Sequence, residues 1–115
     1  MVKPDDYIPQ RGDVVWINLN PQAGHEQAGR RSAVVLSPMA YNRKTGLALF
    51  CPITNQEKGY PFEVAIPVGL PVSGVILADQ VKSLDWKIRD IERLCAIPSR
   101  TVAELLQKII LLLSK

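Results

Sequence analysis

The fold is decided between residues 13 and 37, which read DVVWINLNPQAGHEQAGRRSAVVLS. Two apolar runs, residues 13–18 and 32–37, flank a polar loop that contains one proline and two glycines. Short runs rich in valine and isoleucine indicate β-strands, whereas proline and glycine between them indicate a turn or loop. The stretch therefore predicts two strands that hold a polar loop between them.

The rest of the chain is also divided into short apolar runs separated by proline and glycine. Nine prolines and seven glycines divide the 115 residues into short segments, which is typical of a small all-β domain. The further predicted strands are residues 47–51, 62–66, 74–78 and 94–97. Residues 42–46 are predicted to form a turn, and residues 85–89 a short helical or irregular crossover. Trp16 is predicted to lie in the core and Trp86 to be more exposed.

The C-terminal end has a clear helical pattern. Thr101 and Glu104 have the spacing of a capping box, in which both side chains bond to backbone N–H groups at the start of a helix. One broad apolar stripe follows, formed by Leu105, Leu106, Ile109, Leu112 and Leu113. Ile110 and Leu111 widen it further. We therefore expect a helix that packs deeply or meets a second subunit.

Composition sets limits on the class of protein. The length suits a single domain, residues 1–115, and the net charge of +3 is only a mild bias towards polyanions. One histidine and two separated cysteines, Cys51 and Cys95, argue against a structural zinc site and against a disulfide framework. With no signal peptide and no apolar run of membrane-spanning length, the sequence predicts a cytoplasmic protein with reduced, buried thiols and no cofactor.

The polar loop between the first two predicted strands combines several chemical groups. His25, Glu26, Arg30 and Arg31 lie within eight residues of one another. Such a set can accept a proton, donate one and bind a phosphate, although a solvated loop with an ordinary charge cluster has the same composition. A loop held by two strands is a common place for a functional site.

Six motifs, in this order along the chain, resemble the MazF/PemK family of toxins, the endoribonuclease components of bacterial toxin–antitoxin pairs. They are GDVVW at 12–16, EQAGRR at 26–31, VVLSP at 34–38, PITNQ at 52–56, KGYPFEV at 58–64 and ADQVKS at 78–83. The resemblance covers roughly residues 6–113. It implies a mainly-β fold, a small SH3-like β-barrel with a C-terminal helix, assembled as a homodimer.

The resemblance also implies an activity and partners. The expected reaction is a metal-independent, sequence-selective cut in single-stranded RNA, in which a ribose 2′-OH attacks the adjacent phosphate. The products are a 2′,3′-cyclic phosphate and a 5′-OH. Because the nucleophile belongs to the substrate, the enzyme needs positioning, a proton acceptor and charge stabilisation. The expected protein partners are a cognate antitoxin and a second copy of the chain.

Three residues match catalytic positions of the family. Arg31 matches the catalytic arginine, whose guanidinium can bind two phosphate oxygens. Thr54 matches the catalytic threonine, whose hydroxyl can donate to a phosphate oxygen. Glu26 matches a loop glutamate of some members, and it either accepts the 2′-OH proton or only positions Arg31.

A second set is predicted to bind RNA without taking part in the chemistry. Amides and cations can contact base edges and phosphates, and aromatic rings can stack on bases. The predicted RNA-binding residues are His25, Gln27, Arg30, Asn55, Gln56, Lys58 and Tyr60. Tyr60 could instead pack on the barrel, which is the favoured interpretation for Phe62. Residues 79–82 could be structural or line the groove, and the structural interpretation is favoured.

Two other functions fit the same fold. A CcdB-like toxin that binds a DNA topoisomerase would not need Arg31 and Thr54. A binding module that has lost catalysis would be expected to have replaced one of them. Both residues are present in this chain, which favours the ribonuclease.

Overall fold

The computed structural model describes residues 6–20 and 29–114. These residues form a mainly-β fold with a C-terminal helix, as predicted. Its elements are β1 (Asp13–Asn18), β2 (Arg30–Val35), α1 (Met39–Thr45), β3 (Leu47–Thr54), β4 (Glu63–Ala65), β5 (Val75–Leu77), β6 (Lys82–Asp85), β7 (Glu92–Ala96) and α2 (Ser99–Leu113). A 3-10 turn, Trp86–Ile88, follows β6 and confirms the predicted short crossover.

The strands form an antiparallel sheet in the order β4-β5-β3-β2-β1-β7, with β6 also paired to β3. The prediction of a closed barrel is wrong for the part of the chain that the structure describes, because β4 and β7 end the sheet without pairing to each other. Closure requires hydrogen bonds around the whole circumference. Here α2 packs beside the open end instead, and its Leu105 lies in one apolar cluster with Val14 of β1 and Val64 of β4.

Both faces of the central strands are buried, so paired valines recur in the sequence. Val14 and Val34 belong to the cluster beneath α2, whereas Val15 and Val35 face a second cluster that contains Phe50. Successive side chains on a strand point to opposite faces of the sheet. A strand that is covered on both faces therefore has apolar residues at consecutive positions. This explains why residues 13–18 and 32–37 could be identified as strands.

α1 replaces the turn that was predicted at residues 42–46. It follows Pro38 and ends at Gly46, whose φ of 74° is left-handed and suits a helix C-terminus. Its buried residue is Asn42, whose amide donates to the carbonyl oxygens of Pro9 at 2.8 Å and Ser37 at 3.0 Å. Because this buried side is polar, the apolar periodicity that indicates a helix is missing.

The predicted start of α2 is also wrong. The helix begins at Ser99 after Pro98, and no side chain caps it. Thr101 lies inside the first turn, because its N–H already donates to the Pro98 carbonyl at 3.0 Å. Its side chain is buried. The predicted apolar stripe is buried at its start and exposed at its end. Leu105 is fully buried, whereas the last four residues of the helix, 110–113, are exposed.

The two tryptophans occupy the reverse of their predicted environments. Trp86 is buried, and its indole N–H donates to the Asn42 carbonyl at 3.1 Å. Trp16 is 38% exposed. Val15 and Ile17 point into the cluster that contains Phe50, so Trp16 lies on the same face as Val14. That face is buried at Val14 and exposed two residues further along β1, at Trp16.

The two thiols are unpaired with each other, and Cys51 is fully buried as predicted, whereas Cys95 is only partly buried. Burial raises the pKa of the Cys51 thiol to about 12, and the negative charge of Asp79 adds to the effect. Cys51 is therefore an inert core residue at neutral pH. Among the described residues, no helix is both long and apolar enough to cross a membrane.

Candidate active site

Arg31 and Thr54 lie at the same end of two paired strands. Ala33 of β2 pairs with Pro52 of β3, and Arg31 and Thr54 are each two residues beyond that pair in the same direction. Both residues line one open groove of about 630 Å³. The sequence interpretation placed Arg31 in the polar loop and ended the third strand at residue 51. The structure places both residues on strands, where Arg31 pairs with Ile17 of β1 and Thr54 with Val75 of β5.

We call this groove the main groove, and its lining combines cationic, polar and aromatic groups. Trp16 also lines it, and its indole is 38% exposed there, whereas the sequence predicted a core position. The residues that line the main groove are Trp16, Gly29, Arg30, Arg31, Ser32, Ile53, Thr54, Asn55, Pro71, Val72, Ser73 and Leu94.

The Thr54 hydroxyl is held in place by its own chain. Thr54 is the last residue of β3, is buried, and pairs with Val75 of β5. Its Oγ1 accepts a hydrogen bond from the Gln56 N–H at 3.1 Å. A hydroxyl is both a donor and an acceptor, so Thr54 can accept this bond and still donate to a ligand in the groove.

Gly74 packs directly against the Thr54–Asn55 peptide. A Cβ atom at Gly74 would overlap the Thr54 carbonyl oxygen and lie 2.9 Å from Asn55 Oδ1. The neighbouring Ser73 hydroxyl donates to that same Asn55 oxygen at 3.2 Å. The start of β5 therefore supports the end of β3, a contact that the local sequence around Gly74 does not reveal.

We expect Gly74→Ala to destabilise the protein more than Gly69→Ala does. Both glycines have a positive φ, +113° and +104°, but a Cβ at Gly69 meets no atom within 4 Å. Backbone strain alone costs roughly 1–3 kcal/mol, and forced overlap adds about 1–3 kcal/mol at Gly74 only. Chemical denaturation of the two variants measures the difference. Equal stabilities would show that Thr54 and Asn55 can move aside without penalty.

Arg30 is already engaged by neighbouring groups. Its Nη1 donates to the Asp90 carbonyl at 2.7 Å, and the guanidinium lies 3.4 Å from Asp90 Oδ2 and 3.5 Å from Glu92 Oε1. Exposed ion pairs of this kind contribute little free energy. A phosphate at Arg30 would have to compete with these partners, but the competition is weak.

A smaller cavity of about 250 Å³, here called the side pocket, adjoins the main groove, because Thr54 lines both. The predicted residues Gln56, Lys58 and Tyr60 line the side pocket together with Asp79. The Tyr60 hydroxyl donates to Asp79 Oδ1 at 3.3 Å. Burial and the Asp79 carboxylate raise the pKa of Tyr60, which therefore stays protonated at neutral pH.

The predicted residues thus divide into three sets. Arg30, Arg31, Thr54 and Asn55 line the main groove, whereas Gln56, Lys58 and Tyr60 line the side pocket. The predicted residues of the polar loop, His25, Glu26 and Gln27, lie outside the described residues.

Two further features bear on the choice of site. Within residues 6–20 and 29–114, no group of three or more histidine, cysteine, aspartate or glutamate side chains could hold a metal ion. A larger cavity, about 1430 Å³, is lined by Asp13, Arg93 and the first turns of α2, and none of the predicted site residues in the described part of the chain lines it. The site is therefore assigned by chemistry and not by cavity size.

Comparison with known proteins identifies the family. Residues 10–113 match the PemK-like, MazF-like toxins of type II toxin–antitoxin systems. This chain belongs to that family. It is 55% identical over 83 residues to the endoribonuclease toxin MazF of Escherichia coli K12, covering 72% of this chain and 74% of the relative. It is 35% identical over 104 residues to the E. coli endoribonuclease PemK, covering 87% and 78%.

Solved structures show the same fold. A crystal structure of MazF from Deinococcus radiodurans superposes with a TM-score of 0.91 at 56% identity, covering 94% of this chain and 98% of that one. A MazE–MazF complex from the same organism superposes with a TM-score of 0.84 at 49% identity, covering 95% and 98%. The open sheet with its C-terminal helix is therefore a MazF fold.

Proposed function

We propose that this member of the PemK/MazF family is an endoribonuclease toxin that cuts single-stranded RNA. The observation that carries the proposal is the shared groove of Arg31 and Thr54, in a chain whose relatives are named endoribonucleases. A CcdB-like topoisomerase poison would need neither residue.

The proposed reaction is an internal displacement at phosphorus. The 2′ oxygen forms a bond to the phosphorus, the bond from phosphorus to the 5′ oxygen breaks, and a 2′,3′-cyclic phosphate and a 5′-OH result. The 2′-OH proton leaves to a base, and the departing 5′ oxygen takes up a proton from water. Arg31 and Thr54 bind the non-bridging oxygens, where negative charge builds up in the transition state.

Glu26 is the proposed base, and its alternative role is to position Arg31. A carboxylate acting as a general base contributes about 10²–10⁴-fold to the rate. Glu26→Gln tests the base assignment, because a glutamine side chain cannot take up the 2′-OH proton. A rate equal to that of the parent at every pH would mean that Glu26 is not the base. His25 and Gln27 are proposed to contact RNA from the same loop, without a chemical step.

The proposed RNA path runs from the main groove into the side pocket. Trp16 in the groove and Tyr60 in the pocket offer aromatic faces on which unpaired bases can stack. Asn55 and Gln56 are exposed and offer amides to base edges, and Lys58 offers a cation to a phosphate. The path favours single strands, whose bases can turn outward into such sites.

The test uses one long RNA, the same sequence as DNA, and an RNA with a single 2′-deoxy nucleotide at the mapped cut site. We expect cleavage of the RNA alone, with cyclic phosphate ends, and the same rate in excess chelator at constant ionic strength. The 2′-deoxy RNA should bind and stay uncut, because its nucleophile is missing. Cleavage of that RNA would overturn the mechanism.

An antitoxin is the proposed protein partner. Solved relatives include MazE–MazF complexes. The site of this chain presents Arg30, Arg31 and Lys58, which attract carboxylates as well as phosphates. We propose that an acidic antitoxin segment occupies the same groove, so that saturating antitoxin should abolish RNA binding.

A homodimer is the proposed assembly. Ile110, Leu111, Leu112 and Leu113 are 46–82% exposed at the end of α2, which is an unusually apolar surface for a monomer. Burying them between two copies would stabilise the pair and give two equivalent sites. Light scattering at micromolar concentration should give about twice the 12.8 kDa chain mass. A monomer mass under these conditions would contradict the proposal.

A further inference from the structure

We propose that Glu63 is a positioning residue, which holds the loop that carries Lys58 and Tyr60 in the shape that RNA binding requires. This inference rests on the proposed function and assigns a role to a residue that does not itself have to touch RNA. Glu63 opens β4 and is only 8% exposed.

Both carboxylate oxygens of Glu63 are used by the backbone of that loop. Oε2 accepts from the Lys58 N–H at 2.9 Å, and Oε1 accepts from the Gly59 N–H at 2.8 Å. The Glu63 N–H donates in turn to the Tyr60 carbonyl at 3.2 Å. Three consecutive loop residues are thus tied to one side chain and its own backbone.

Glu63 is itself held by the sheet and by α2. Glu63 pairs with Leu77 of β5, and its carbonyl accepts a hydrogen bond from Lys108 Nζ of α2 at 2.9 Å. A short loop connected in this way to the sheet and the helix keeps its shape without a ligand. Preorganised sites bind more tightly because the ordering is complete before the ligand arrives.

The charge of Glu63 is what suits it to this task. An ionised carboxylate is acceptor-only, so it satisfies two N–H groups at once and binds them more strongly than a neutral acceptor does. A glutamine of the same size accepts through one oxygen only and turns an NH₂ group towards the second N–H. Glu63→Gln therefore breaks one bond and creates a donor–donor contact with almost no change in volume.

The loop held by Glu63 forms part of the proposed RNA path. Glu63 lines the side pocket together with Thr54, Lys58 and Tyr60. Loss of the hydrogen bonds from the Lys58 and Gly59 N–H groups would let the Lys58 ammonium and the Tyr60 ring move relative to Thr54. We therefore expect weaker RNA binding with the chemical step largely retained.

The experiment compares Glu63→Gln with Glu57→Gln. Glu57 is exposed in the same loop and loses the same charge, so it controls for electrostatics. KM and kcat are measured for a short RNA that contains the mapped cut site, and amide hydrogen exchange is measured at Lys58 and Gly59. Glu63→Asp, which keeps the charge on a shorter side chain, tests for rescue.

We expect Glu63→Gln to raise KM roughly tenfold, to change kcat much less, and to speed exchange at both amides by roughly tenfold or more. Glu57→Gln should leave all three values near those of the parent, and Glu63→Asp should fall between. Faster exchange with unchanged KM would overturn the positioning role, as would unchanged exchange. If the parent cuts no RNA, the proposed function fails, and the exchange arm still decides whether Glu63 holds the loop.

Discussion

Arg31→Ala is expected to lower the rate of RNA cleavage by roughly 10²–10³-fold, the usual loss when one preorganised donor to a transition-state oxyanion is removed. Arg31 is exposed on β2, so its truncation removes no core packing. Circular dichroism and thermal unfolding should match those of the parent. Single-turnover cleavage of an RNA with the mapped site measures the chemical step apart from product release.

Two further variants show whether the loss of rate is specific to the Arg31 guanidinium. Arg31→Lys keeps the charge but not the planar fork of donors, so it should recover only part of the lost rate. Arg43→Ala removes another exposed arginine, from α1, outside both the main groove and the side pocket, and should cleave like the parent. An Arg31→Ala protein as active as Arg43→Ala would remove Arg31 from the chemistry.

Thr54→Ala is expected to cause a loss of similar size, because its hydroxyl is the proposed second donor to the same developing charge. Unlike Arg31, Thr54 is 6% exposed, and its hydroxyl accepts the Gln56 N–H. The substitution should therefore also cost about 1 kcal/mol of stability, the usual net contribution of one hydrogen bond.

Thr54→Ser separates the two effects of this substitution. It keeps the hydroxyl and removes only a methyl group, so cleavage should stay within about tenfold of the parent rate while some packing is lost. Denaturation and single-turnover cleavage are measured on both variants. If Thr54→Ser were as inactive as Thr54→Ala, packing at the end of β3 and not the hydroxyl would explain the loss.

A strand could be predicted from the sequence where its own residues show a pattern of burial, and it was missed where they do not. The predicted bounds of β1 match the structure and those of β2 lie two residues too late, since β2 is Arg30–Val35. Both strands could be identified because Val14, Val15, Val34 and Val35 are buried on both faces. β6 was missed, since Leu84 is its one buried residue. A strand that buries so little has no periodicity to detect.

The sequence by itself determined the family, the mainly-β class with a C-terminal helix, and the choice of Arg31 and Thr54 as a proposed pair. These conclusions rest on the order of motifs and on patterns among residues close together in the chain, and both can be recognised without knowing how the chain folds. The proposed roles of Glu26, His25 and Gln27 remain predictions, since their loop lies outside the described residues.

Only the tertiary structure decided the open sheet, the exchanged environments of Trp16 and Trp86, and the support of the site by Glu63 and Gly74. Gly74 meets Thr54 from twenty positions away along the chain. Whether a glycine is needed there depends on how closely two backbones approach, and that distance is set by the packing of the whole sheet.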